Sequence, residues 1–447
     1  MTAQAVLARF TPERLSSPRF LLTFWFVTRL VVLGVWATTS LGAQNDVFYY
    51  FDHIDALGQA GPAATMPEYP TPALWVLSVP WLLGLGTSTG YAIAFACLML
   101  LLDAAFTYSL WRWGGPWRGQ AVILWSVFLA FVGPTAYLRF DLMTSVLTGW
   151  GLLLAHHKRP ALAGVAVGLG AAIKLWPALL WPALCGNWRQ TKSNTTAWPV
   201  TIAAGVTGGV LAVASLIWGG WERLISPLTY QTDRGLQVES VFASVPMLLR
   251  SLHIGDFAVT VSRYQAFEIW GTGVPFWLES ASIAAVAGYA AIVATYVIWF
   301  WRGHGRPIEG SVLTLLVIVI LIVTNKTFSP QYVMWLGGPL AAMAVIMGAR
   351  TPSDRLTADK VRFRKIAWLV LAMTLATLVV YPVGYAPLVT DVTGWTGALR
   401  LPVTLVLVAR NAMMVWLLVE LSAWTWSFVK PGAWASLRAL GAREATA

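Results

Sequence analysis

Charge is scarce in this chain: of 447 residues only 19 are acidic and only 11% are charged. A soluble domain carries about a quarter of its residues as charges, so that class is excluded. Cysteine is scarcer still. Cys97 and Cys185 are the two present, both in apolar surroundings, which rules out a disulfide framework and a thiolate metal site. No phosphate-cradling glycine loop, zinc-ligand spacing or nucleophile elbow occurs. An internal sequence repeat is absent too, which argues against a transporter made of two pseudo-symmetric halves. The N-terminal segment, with Arg9, Arg14 and Arg19 ahead of the first apolar run, lacks a small-residue cleavage site. That run is therefore expected to remain as a span.

What is there is grease. The composition is 57% hydrophobic, with 26 tryptophans and a mean hydropathy of +0.66. Apolar runs recur at the length of about 20 residues that crosses a bilayer as helix. The fold class is all-α, a polytopic integral membrane protein. The formal charge of +11 does not imply a nucleic-acid partner. The Lys and Arg residues sit in short loops between apolar runs, as cytoplasmic loops do.

In chain order, span one covers residues 20–39 and leaves an acid-bearing stretch, residues 45–72, on the outer face. Residues 73–85 are expected to lie as a helix at the outer interface, because this puts Arg112 and Arg118 inside. Spans follow over 91–111, 120–132 and 142–155. Residues 161–173 and 175–185 then form a short hairpin with Lys174 at its outer tip. Half-length helices at membrane depth are tolerated where they line a cavity, so this pair points to a site. A span over 198–218 leads to an outer region, 219–275, expected to hold short amphipathic helices. Spans over 276–299, 310–324, 332–347, 366–383 and 397–428 complete about twelve, with both termini cytoplasmic. The chain is expected to be one domain, 1–447, with a catalytic module over 19–218, the outer region over 219–275 and C-terminal helices over 276–430.

The stretch NDVFYYFDHIDALGQAGPAATMPEYPTP carries Asp46, Asp52, Asp55 and Glu68 in a chain otherwise short of carboxylates. On a helix starting at Asn45, Asp46, Tyr50, His53 and Leu57 share a face, while Val47, Phe51 and Ile54 form an apolar stripe. Asp46 fits either a cavity-facing acid or a helix N-cap. His53 fits a structural role or a sugar contact. Glu68, held between prolines, fits a binder of sugar hydroxyls or a cap of the interfacial helix. A second set is cationic: Lys174, Arg234 in QTDRG and Lys326 in TNKTFSPQ belong to the outer half, and Arg139 and Arg410 join them on the same count. Cations converging near a carboxylate suit a phosphate that is bound and then stabilised as a leaving group. Snorkelling to outer headgroups is the plainer reading for Arg139 and Arg400. Arg29, inside span one, has no evident partner.

Together, DVFYY after the first span, EYPTP before the interfacial helix, KRPALAGVAVGLGAAIKLWPALLWPA, DRGLQVES and NKTFSPQYVMWL resemble the GT-C glycosyltransferases. Within them the likeness is to the polyprenyl-phosphate-mannose-dependent α-1,2-mannosyltransferases of glycosyltransferase family 87. The loop reads EYPTP where family members often show a YPP-type sequence. The resemblance implies a GT-C fold with a juxtamembrane helical loop after span one, and a catalytic Asp at Asp46. It implies a polyprenyl-phosphate sugar donor used on the outer face of the plasma membrane without a metal or other cofactor, and a glycolipid or lipoglycan acceptor. Asp46 would then act as base for an inverting transfer, with Lys174, Lys326 and Arg234 on the phosphate and Gln331 and Glu239 supporting. Tyr50, His53, Glu68 and Arg410 complete the expected binding set. Another sugar from the same donor class, arabinofuranose or glucose, stands as an alternative within enzymes, and a transporter or lipid flippase outside them.

Overall fold

The structure, a computed structural model, describes residues 15–39, 43–187, 196–230, 234–390 and 394–430. Arg9, Arg14, both chain ends and the basic loop residues 188–192 of the sequence reading lie outside them. Helices dominate. The principal ones, in chain order, are α1 (Pro18–Thr39), α2 (Asn45–Asp55, followed by the short helix Leu57–Ala64), α3 (Thr71–Leu83), α4 (Ser88–Trp113), α5 (Arg118–Val132), α6 (Asp141–His156), α7 (Pro160–Ile173) and α8 (Ala197–Thr229). After α9 (Ser244–Ser251) comes a hairpin of β1 (Ala258–Val261) and β2 (Phe267–Trp270). Then follow α10 (Val274–Arg302), α11 (Pro307–Val323), α12 (Gly337–Gly348), α13 (Asp354–Leu378) and α14 (Arg400–Val429).

Among the described residues, seven helical segments are long and apolar enough to cross a membrane: α1, α4, α8, α10, Pro330–Gly348, Arg355–Val383 and α14. The other expected crossings fall on shorter helices, such as the 15 residues of α5, 16 of α6, 14 of α7 and 17 of α11. Burial sorts the set into a ring and a hub. In the most apolar window of α8 only 11% of residues are buried, against 89% in Pro330–Gly348. Ile202, Val206, Val210, Val213 and Ile217 of α8 are exposed. An apolar surface of that extent marks contact with lipid rather than water. α11 is the opposite, buried almost throughout from Ile308 to Val323.

The hub packs α6 against α12 through small residues. A Cβ on Gly338 would fall deep inside contact with the Ser145 carbonyl oxygen, and the Gly338 N–H donates to Ser145 Oγ at 2.9 Å. Helices approach this closely only where a side chain is missing. Gly338→Ala is expected to cost ~1–3 kcal/mol by overpacking; a lowered melting temperature in detergent checks it, and an unchanged one would show that α6 and α12 can part freely.

Three segments differ from the sequence reading. Residues 175–185 are not a helical arm but a 3-10 stretch (Trp176–Leu180) and a single turn (Trp181–Leu184). Pro177 and Pro182 remove the N–H donors an α-helix needs. The span expected to stop at residue 218 instead continues to Thr229, bent at Gly220, whose φ of 77° and ψ of 179° break the helix without a Cβ penalty. Among the described residues, the outer region beyond α8 holds the 3-10 turn Val241–Ala243, the short helix α9 and the β-hairpin, paired Ala258↔Trp270 through Val261↔Phe267. The cross-strand pair Val259 and Ile269 is buried, with Glu268 beside Ile269, while Val261 and Trp270 at the strand ends are exposed. The hairpin is tied to the loop before α9: Val238 N–H donates to the Phe267 carbonyl (3.1 Å) and Ile269 N–H to the Leu236 carbonyl (3.0 Å).

Candidate active site

The first turn of α2 opens the site. Its N-cap position is Gln44, which makes no side-chain cap, so Asp46 lies inside the helix and its carboxylate is free to face elsewhere. α2 buries Val47, Tyr50 and Ile54. That face sets the rotation, and it brings Tyr49 rather than Tyr50 beside Asp46 on a cavity of about 400 Å³. Tyr50, expected next to Asp46, is 1% exposed and packs among Phe140 (5.5 Å between centroids), Phe95 (5.8 Å) and Tyr69 (6.4 Å). His53 is outside the cavity lining. Its ring lies tilted against Tyr49 (4.1 Å between centroids) and its Nδ1 lies 2.9 Å from the Tyr49 carbonyl.

Glu68 reaches the same cavity. The Tyr49 hydroxyl donates to its Oε1 at 2.7 Å, while its Oε2 is buried without a partner. Burial and then the Glu68 charge hold the Tyr49 hydroxyl well above the usual phenol range, so Tyr49 remains a donor. The turn that carries Glu68 is gripped from the far side of the Gly220 bend. Arg223, 1% exposed, donates from Nε to the Pro62 carbonyl (2.9 Å) and from Nη1 to the Tyr69 carbonyl (2.8 Å). Its Nη2 reaches the Met66 and Thr65 carbonyls at 3.3 and 3.4 Å. Ser226 Oγ adds a bond to the Pro67 carbonyl at 2.9 Å. Arg223→Ala is expected to remove ~2–3 kcal/mol of charge-assisted bonding and to free this turn. Faster hydrogen exchange at the amides of Met66, Glu68 and Tyr69 checks it, and unchanged exchange would mean that the turn holds itself.

Cations meet these acids. Arg139 stands in extended backbone between the short turn Thr135–Leu138 and α6, 7% exposed. It is buried within the protein rather than extended to its surface. Its Nη1 is in contact with the Asp46 carboxylate and its Nη2 donates to the Tyr381 hydroxyl at 3.2 Å. Arg400, the other residue read as snorkelling, donates to the Thr390 carbonyl at 2.9 Å. Lys174 follows α7 in an extended conformation and lines the cavity. Its ammonium lies 2.6 Å from Asp141 Oδ1, which also accepts from Trp335 Nε1 at 2.7 Å. Four rings box it in: Phe140 at 4.9 Å, Tyr332 at 5.6 Å, and Tyr69 and Trp335 at 5.7 Å. Such faces favour a cation. Arg234 and Gln331 also line the cavity, with Arg234 5.9 Å from the Tyr264 ring and Gln331 Oε1 buried without a partner.

Three expected residues lie behind the cavity wall. Lys326 is not among the lining residues; its carbonyl accepts the Gln237 N–H at 3.1 Å. Glu239 and Arg410 form a fully buried pair at 3.1 Å, away from the lining. Burial pushes the Glu239 carboxyl up to about 7, with the Arg410 guanidinium opposing. The pair acts as a bolt, since Arg410 and Asn411 both donate to the Glu239 carbonyl and Asn411 also to that of Ser240. α14 thereby fixes the segment that carries Gln237, whose Nε2 donates to Ser329 Oγ at 3.2 Å. Asp141 and Tyr49 are the site-forming groups that the sequence reading passed over. Asp141 was hidden because it looks like a helix N-terminal acid, and only the approach of Lys174 makes it a counter-ion.

The site thus sets two carboxylates, Asp46 and Glu68, against three cations, Arg139, Lys174 and Arg234, around one cavity walled by tyrosines. Among the described residues no three His, Cys, Asp or Glu side chains gather as a metal-holding group. The arrangement can take a proton from a hydroxyl on one side and hold an anion on the other.

Two solved structures are similar to the chain, both of ArnT from Cupriavidus metallidurans. The one bound to undecaprenyl phosphate has 14% identity over 89% of this chain and 76% of its own, with a TM-score of 0.43. The apo state has 13% identity over 91% and 78%, with a TM-score of 0.42. No curated protein matches. The model of glycosyltransferase family 87 matches residues 68–330, a segment that begins at Glu68, after Asp46, and holds Arg139, Lys174 and Arg234. The match covers more than half of the sequence, and the chain belongs to glycosyltransferase family 87.

Proposed function

We propose that this glycosyltransferase moves mannose from a polyprenyl-phosphate-mannose donor to a glycolipid or lipoglycan acceptor, forming an α-1,2 linkage with inversion. The observation that carries the reading is the single cavity in which Asp46 faces Arg139, Lys174 and Arg234. Inversion needs one base and one leaving-group site, on opposite sides of the anomeric carbon. Asp46 takes the proton of the acceptor hydroxyl as that oxygen attacks the carbon. Lys174 and Arg234 receive the departing phosphate, a role filled by the protein's own cations rather than by a metal or cofactor. Gln331, with a free buried amide oxygen, and Glu68 bind sugar hydroxyls. Lys326, Glu239 and Arg410 support the wall, and Tyr50 and His53 support α2. The protein lies in the plasma membrane with both termini cytoplasmic and this cavity outward.

The test uses purified protein in lipid with polyprenyl-phosphate-[14C]mannose and a panel of mannosylated lipid acceptors. Label transferred to an acceptor, in an α-1,2 bond opened by a linkage-specific mannosidase, is the expected result. Transfer from the arabinofuranosyl or glucosyl donor but not from the mannosyl one would replace the sugar. Transport of the donor without any transfer would overturn the reading.

A further inference from the structure

We propose that Arg139 is a counter-ion shared between Asp46 and the donor phosphate, released by the base in the same step that charges the leaving group. The proposal rests on the reading of Asp46 as base and of a polyprenyl-phosphate donor. Among the described residues, five charged side chains line the cavity: Asp46, Glu68, Arg139, Lys174 and Arg234. Lys174 is already matched by Asp141 at 2.6 Å. Arg139 is different, because its acid is the reacting group itself: Nη1 is on Asp46 and Nη2 on the Tyr381 hydroxyl. Its Nε is buried with no acceptor, so one donor of the guanidinium is left unsatisfied in the resting enzyme.

The charges of the reaction then explain the placement. The bond from the acceptor oxygen to the anomeric carbon forms, and the bond from that carbon to the phosphate oxygen breaks with its electron pair. The hydroxyl proton goes to Asp46. A phosphodiester of charge −1 thereby becomes a monoester approaching −2, while Asp46 passes from −1 to neutral. One negative charge crosses the cavity, and the guanidinium between its two homes is attracted away from the base as the phosphate gains charge. In the resting enzyme Asp46 holds Arg139 back from the ground-state donor, so its full attraction is reserved for the transition state, the condition for raising turnover rather than affinity.

This predicts an effect opposite to the usual consequence of a site mutation. Asp46→Asn keeps the shape, deletes the charge and frees Arg139. It is expected to bind a polyprenyl monophosphate in nanodiscs about tenfold more tightly than wild type. Removing any nearby negative charge could favour an anion, so the decisive comparison is the double variant. With Arg139→Gln present, Asp46→Asn should bring no gain, and Glu68→Gln, which deletes the other cavity carboxylate, should bring a smaller one. Arg139→Lys serves where Arg139→Gln does not fold, folding being read by melting temperature. An unchanged affinity in Asp46→Asn, or an equal gain with Arg139→Gln present, overturns the shared counter-ion. The function reading fails separately: transfer retained by Asp46→Asn would remove the base, and with it the charge exchange proposed here, while polyprenyl monophosphate still bound would keep the donor class. No binding of polyprenyl monophosphate by any form would remove the donor and this proposal with it.

Discussion

Asp46→Asn is expected to lower kcat by about 10²–10⁴-fold, the usual contribution of a positioned base, while the protein remains folded. The substitution preserves volume and the first turn of α2, where Asp46 makes no cap. The two other acids near the cavity are engaged by other groups. Glu68 is already an acceptor of the Tyr49 hydroxyl at 2.7 Å. Asp141 is 1% exposed and bound to Lys174 and Trp335. Single-turnover transfer of labelled sugar separates chemistry from release, and loss in that phase with donor binding intact is the expected pattern. Turnover within about threefold of wild type, well inside the range that marks a base, would exclude Asp46 from that role.

The second large effect lies away from the cavity. Arg29 of α1, which the sequence leaves without a partner, meets Asp103 of α4 in a two-pronged pair, Nη2 to Oδ1 at 2.6 Å and Nε to Oδ2 at 2.8 Å. Trp25 Nε1, Trp125 Nε1 and the Tyr137 hydroxyl donate to the same carboxylate at 3.1, 2.8 and 2.9 Å. Asp103 is fully buried and Arg29 is 8% exposed. Asp103→Leu strands that guanidinium at membrane depth, and breaking one half of a buried pair costs about 3–5 kcal/mol. A large fall in melting temperature is expected, reversed in part by adding Arg29→Leu, since an apolar replacement of both partners is often neutral. Recovery is only partial because Trp25, Trp125 and Tyr137 lose their acceptor. Tyr137 stands two residues before Arg139, so the network also sets the turn that presents Arg139 to Asp46. A melting temperature unchanged by Asp103→Leu would show that the pair contributes nothing.

The sequence was most informative where one physical rule dominates. Long apolar runs can only be helices in lipid, and α1, α4, α8, α10 and α14 stand where the runs do. The half-length segments on either side of Lys174 pointed to a cavity, and Lys174 lines one. The limits are equally physical. Periodicity gives the members of a helix face but not its absolute rotation. Tyr49 and Tyr50 are both neighbours of Asp46 on a helix, at i+3 and i+4, and only the packing of Val47, Tyr50 and Ile54 into the core chooses between them. The hairpin was read as helix because its residues follow a long apolar span. Its strands are paired further by the backbone of residues 236–238, a contact that no local periodicity encodes.

What the amino-acid sequence determined by itself is therefore the solvent and the inventory: a helical chain committed to lipid, with few charges, several of them gathered near one end of its spans. What the tertiary structure decided is pairing. Arg29 and Asp103 are 74 residues apart, Glu239 and Arg410 171, and Lys174 and Asp141 33. No local propensity links such residues. A charge buried at depth must find its opposite, and which opposite is within reach is a property of how helices cross, not of their order along the chain. The same crossing leaves Arg139 on Asp46, a cavity cation whose counter-ion is the proposed base.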